Sequence, residues 1–263
     1  MSWEEEDKER RWTRREWVKL SMTLGTFGAL GGLGGLLSGQ LLPPPIQLSG
    51  EVREGLYYTK FPTPQWWNSR DGTPVKVSDF QEWQGATAVW RGLYQNNQLL
   101  PGTGFPCIVI RVPYGAPEFT FPSQATLTAS GIAPPPAGFE YYYKDDASKT
   151  QMVVFYDRCV HLCCYPGWHV VTNPPPDRAY ATYGANPPTY EVYHQDPIYC
   201  ICHGSQYDPL LLTVNFNPHS NVNYIGATRV HGPAPRALVV IPVKSSGGAL
   251  VGGMPNPNWY VYC

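Results

Sequence analysis

Downstream of residue 50 the apolar positions gather into short runs bounded by proline and glycine. "TAVWRGLY" (87–94), "FPCIVIRVPY" (105–114), "QMVVFYDRC" (151–159), "RALVVIPVK" (236–244) and "NWYVYC" (258–263) are rich in valine, isoleucine and aromatic residues. Runs of this length and composition predict strands. No segment beyond residue 50 sustains a helical period, and prolines interrupt most candidates. The expected class is all-β, an antiparallel β domain. "PPPAGF" and "TNPPPDRAYATYGANPPTY" are expected loops.

The first 50 residues are patterned differently. Residues 1–16 are dense in charge, whereas 21–50 hold no Asp, Glu, Lys or Arg. About 20 apolar residues cross a bilayer as a helix, so 17–42 is expected to be one N-terminal transmembrane helix. Gly28/Gly32, Gly31/Gly35 and Gly35/Gly39 are small-xxx-small pairs of the kind that let membrane helices approach closely. Arg10, Arg11, Arg14, Arg15 and Lys19 all precede the apolar run, which keeps 1–16 cytoplasmic and sends the remainder across. "TRREWVKL" is similar to a twin-arginine export signal. No small-residue cleavage site precedes "LLPPPIQLSG", so the anchor is expected to be retained. Residues 43–55 follow as a proline-containing linker, and 56–263 as the exported domain. The expected location is a prokaryotic cell membrane, single-pass, with the C-terminal domain outside the cytoplasm.

Composition narrows the function classes. A net charge of −1 with 15% charged residues excludes a field suited to nucleic acid. Abundant proline (28) and glycine (26) with 14% aromatics agree with a turn-rich β domain.

The chemistry sits in two short runs. "CVHLCC" (159–164) and "CICHGSQYDP" (200–209) hold five of the seven cysteines, each run with a histidine. Thiolate and imidazole are the side-chain ligands of soft and borderline transition metals. A tetrahedral zinc site would use four such groups and leave cysteines unexplained. A [2Fe–2S] centre with two cysteines on one iron and two histidines on the other would use Cys159, His161, Cys200 and His203. The surplus cysteines in each run could then staple the two loops, as suits an oxidising compartment.

The two boxes resemble those of the Rieske iron–sulfur proteins, and the disulfide-bearing version resembles the high-potential Rieske subunit of cytochrome bc-type quinol-oxidising complexes. That resemblance implies a cluster-binding subdomain over about 155–236 and one Rieske-type [2Fe–2S] cluster per chain. It assigns the staple to Cys164 and Cys202. It directs the hydroxyls of Ser205 and Tyr207 at cluster sulfurs, lays the proline loop Gly232, Pro233, Ala234, Pro235 over the cluster, and makes Leu162 part of an apolar docking tip. His203, with His161 beside it, would contact quinol and accept its proton. The implied function is electron transfer from quinol to a cytochrome or copper acceptor, as the electron-transfer subunit of a membrane oxidoreductase that includes a b-type cytochrome.

Two other readings compete: the small Rieske subunit of a periplasmic oxidase such as arsenite oxidase, and a zinc-stabilised surface protein without redox activity. The sequence departs from the family pattern at Cys163, where glycine is usual, and in a long 165–199 segment. Cys107, Cys163 and Cys263 remain over, with a Cys107–Cys263 link one open pairing. His169, His194, His219 and His231 are read as ordinary loop histidines.

Overall fold

Strands β6 (Phe105–Val112) and β8 (Thr150–Tyr156) fall in the two most uniformly apolar runs and lie side by side. Cys107 to Ile110 and Gln151 to Phe155 are buried without alternation, because both faces of this sheet are covered. In this computed structural model, which describes residues 50–167 and 198–253, the two strands are the centre of a five-stranded antiparallel sheet. β3 (Gln84–Trp90) pairs with β6, β2 (Leu56–Tyr58) closes one edge and β7 (Tyr143–Asp145) the other.

The expected strand 87–94 is cut short at Arg91, whose backbone takes a positive φ of 54°. The chain then turns into β4 (Leu93–Gln95) and β5 (Gln98–Leu99), joined through Asn96 and Asn97, both at positive φ. Asparagine tolerates that region, and such a pair makes a two-residue hairpin turn. β1 (Glu51–Val52) pairs with β4, so sheet pairing begins ahead of the domain start expected at residue 56. Arg53 lies over the rings of Tyr94 (4.3 Å) and Tyr57 (5.5 Å) and donates to Asn97 Oδ1 at 2.7 Å, which fixes this entry.

A second antiparallel sheet carries β9 (Ile198–Cys200), the long pair β10 (Ser205–Asn217) and β11 (Val222–His231), and β12 (Leu238–Val239), in the order β12-β11-β10-β9. Pro209 lies where the β10–β11 register shifts, between Asp208 and Leu212. A proline cannot donate to the ladder, so the irregularity accommodates it. β13 (Val243–Ser246) and β14 (Ala249–Gly252) form a hairpin. The two large sheets meet where Ile241 N donates to Val154 O (2.8 Å) and Phe155 bridges Val240. One continuous core runs from Trp67, Ile108 and Phe155 to Leu210, Tyr224 and Val240.

A helix that the sequence pattern did not suggest, α1 (Gln124–Ala129), is one and a half turns long. Ser123 caps it by accepting from Thr126 N at 3.2 Å. The chain divides between Ser49 and Gly50. The expected anchor 17–42, the signal and the strand "NWYVYC" lie outside the described residues. Among the described residues no helix is long and apolar enough to cross a membrane.

Candidate metal centre

Three loops meet at one end of the second sheet: the segment after β8, the β9–β10 turn, and the segment after β11. The first closes on itself, with Cys159 N donating to Cys164 O (2.8 Å) and Cys163 N to Cys159 O (3.0 Å). In the second, Gly204 N donates to Cys200 O at 2.9 Å. Cys164 and Cys202 join the two loops by a disulfide spanning 38 residues of sequence, the pairing that the resemblance implied.

The sequence-selected residues divide by depth. Cys159 and Cys200 are buried free thiols at 1% exposure. His161 is half-buried and His203 exposed, their rings edge to face with centroids 4.7 Å apart. Nδ1 of His161 is buried and has no hydrogen-bond partner. An orphaned buried nitrogen costs free energy unless something binds it, and a metal would. The donor set therefore fits a centre with two sulfur and two nitrogen ligands. Cys164, Cys200 and Cys202 also lie close together, their sulfurs within 4.8 Å of one another. With the disulfide intact, only Cys200 of these three offers a thiolate.

The two thiols titrate as a pair. The Cys159 thiol is pulled down, first by the hydrogen bond from Cys200 and then by Tyr207 and Ser205; Cys200 is pushed up by the same contact and by burial. Tyr207 Oη stands 3.2 Å from Cys159 Sγ. Burial raises the Tyr207 phenol far above its usual value, so it remains a donor. The hydroxyls of Ser205 and Tyr207 both lie beside Cys159.

The proline loop packs on the second box. Gly232 has φ 86°, and a Cβ there would lie 2.4 Å from Ser205 Cα, so only glycine fits. Ala234 N donates to Ser205 Oγ at 3.1 Å, and Arg229 holds the loop through Gly232 O at 2.9 Å. Ala234 is buried, while Pro233 and Pro235 are exposed.

Beside the histidines Leu162 is 62% exposed. Sequence reasoning missed its counterpart, Ile201, at 67%; the signal was its place between two cysteines of the second box. Asp157 was missed too. Its carboxyl is buried, which pushes it up to about 7 despite accepting from Gly167 N (2.8 Å). Cys107 is a buried free thiol in β6, so the open Cys107–Cys263 pairing is corrected: the core encloses this sulfur, which contacts Phe105 O at 3.1 Å. His219 sits in the β10–β11 turn and His231 ends β11, whereas His169 and His194 lie outside the described residues.

No protein-family model matches the chain, and no curated protein matches it in sequence.

Proposed function

We propose that this chain is a Rieske-type electron-transfer protein, with a [2Fe–2S] cluster held by Cys159, His161, Cys200 and His203. The observation that carries the reading is the division of donors: two buried thiols and two paired imidazoles, one half-buried and one exposed, on loops tied by Cys164–Cys202. When bound, such a cluster supplies a one-electron acceptor whose potential is raised, to between about −150 and +300 mV, by neutral imidazole in place of thiolate.

The chain's own residues set the rest. The buried, unpartnered Nδ1 of His161 is the nitrogen that would ligate. His203, the more exposed ring, accepts the proton of a quinol hydroxyl at an imidazole nitrogen. Leu162 and Ile201 form an apolar rim that docks against the quinol-binding subunit and excludes water from the contact. Ser205 and Tyr207 stabilise added negative charge on sulfur. The domain hangs on the linker 43–55 from an anchor at 17–42, outside a prokaryotic cell, and passes its electron to a cytochrome or copper acceptor.

Purification from native membranes in mild detergent tests the assignment. A b-type cytochrome travelling with the chain, and quinol-dependent reduction lost in His203→Ala, support it. A molybdenum-containing partner would place the chain instead as the small subunit of a periplasmic oxidase such as arsenite oxidase. Purified chain carrying zinc and no sulfide would overturn both.

A further inference from the structure

Strands β6 and β7 are joined by the connection 113–142, in which α1 is the only helix or strand. Most connections run to about 4–6 residues, and those well beyond about 12–15 usually carry function. This one is fastened at several points. Ser130 O, just beyond α1, accepts from Asn223 Nδ2 at 2.8 Å. Thr120 pairs with Leu211 and Glu140 with Val243. The Tyr141 hydroxyl donates to Ala133 O at 3.0 Å. The connection surrounds a cavity of about 670 Å³, a size that takes a small organic molecule. No residue of the metal centre lines it.

We propose that this cavity binds an organic ammonium, a protonated amine on an apolar body. Its walls are aromatic. The Phe121 ring centroid lies 5.5 Å from that of Tyr141 and 5.4 Å from that of Tyr142, and Phe139 stands in the lining with them. Ring faces carry negative potential and attract cations. The Phe139 ring already shows this, with Lys244 Nζ 4.4 Å from its centroid. Lys244 itself lines the adjoining cavity, which shares Phe139, and not this one. Among the described residues the only charge on the lining is the Glu140 carboxylate, with no Lys, Arg or His beside it. Glu140 is exposed, and its side chain makes no ion pair or hydrogen bond among the described residues.

Hydrogen-bonding capacity points the same way. The Tyr141 donor is spent on Ala133 O, and Thr128 Oγ1 donates to Gln124 O at 2.9 Å. Gln124 Nε2 is held toward Thr128 Oγ1 at 3.5 Å, which leaves its Oε1 as an acceptor. A carboxylate and an amide oxygen on an aromatic lining suit a ligand whose N–H donors carry positive charge. An anion would meet like charge and no cation. A neutral apolar molecule would gain the walls but nothing from Glu140. The inference is independent of what the metal centre holds.

The test is isothermal titration calorimetry of the purified full-length chain at neutral pH. The probes are phenethylammonium, its neutral analogue phenethyl alcohol and the anion phenylpropionate. The ammonium should bind saturably and about tenfold or more tightly than the alcohol, and the anion should not bind. Glu140→Gln should bring the ammonium down to the affinity of the alcohol. Glu140→Lys should abolish ammonium binding and admit phenylpropionate. Because Glu140 is exposed, neither variant removes a core contact, and both should keep the native melting temperature. Equal affinity for ammonium and alcohol, or binding of neither, overturns the proposal, as does ammonium binding that is unchanged in Glu140→Gln.

Discussion

Tyr207 Oη lies 3.2 Å from Cys159 Sγ, and neither side chain reaches solvent. Burial pushes the phenol up while the Cys159 thiol is pulled down, which favours the hydroxyl as donor to the sulfur. The bond strengthens as charge accumulates on the sulfur side, which favours reduction. A charge-assisted hydrogen bond contributes about 1.5–3 kcal/mol. If half of that distinguishes the two oxidation states, the one-electron relation gives about 30–65 mV. Tyr207→Phe and Ser205→Ala should each lower the midpoint potential by that order, and the double change should lower it further. Voltammetry showing unmoved midpoints in both single variants would remove these hydroxyls from the site.

The disulfide between Cys164 and Cys202 closes a loop of 38 residues. In the chain-entropy model that closure stabilises the fold by about 4 kcal/mol. Cys202→Ser should therefore lower the melting temperature by roughly 10 °C for a domain of this size, with all four proposed ligands still present. An unchanged melting temperature would show that the bridge constrains nothing.

Gly232 and Gly247 separate two effects of adding a methyl group. Both have positive φ, but a Cβ at Gly247 meets open space whereas one at Gly232 meets the Ser205 backbone. Gly247→Ala should cost only backbone strain, about 1 kcal/mol. Gly232→Ala should cost more, about 2–4 kcal/mol, because the loop must leave Ser205 and give up the Ala234 N–Ser205 Oγ bond. Denaturation midpoints that fall equally in both variants would contradict the close packing of this loop.

Tyr141 donates to Ala133 O at 3.0 Å, and burial pushes its phenol up to about 12. In the unfolded chain the same group titrates near 10. The folded form thus holds its proton longer, so this stabilisation is complete below pH 10 and is lost as pH rises through 12. Denaturant midpoints should fall as pH rises above 10, and less steeply in Tyr141→Phe. A native-chain midpoint that rises above pH 10 would reverse the sign.

The candidate donors were legible because metal ligation would constrain residue type and spacing together. The two boxes named Cys159, His161, Cys200 and His203, and the surplus thiols were enough to raise a staple between the loops. The strands at 105–112 and 150–156 were legible as apolar runs. The hairpin β10–β11 was not, since Pro209 and a mixture of Thr, Asn and Phe obscure its alternation, and its stability comes from cross-strand pairing. Helix α1 is too short for any period to show. Burial of Asp157 was invisible because nothing local marks it: the Gly167 N–H that satisfies it comes from ten residues further along the chain. Cys163 could be singled out as a departure, but its positive φ and its bonded state are properties of the folded loop.

The most direct measurement is metal and sulfide analysis of the purified chain together with electron paramagnetic resonance of the dithionite-reduced protein. A histidine-ligated [2Fe–2S] centre predicts two iron and two acid-labile sulfide per chain and a rhombic signal of low average g value. Cys159→Ser should abolish this signal, while Cys107→Ser leaves it unchanged. A colourless, signal-free protein that contains zinc without sulfide would contradict it.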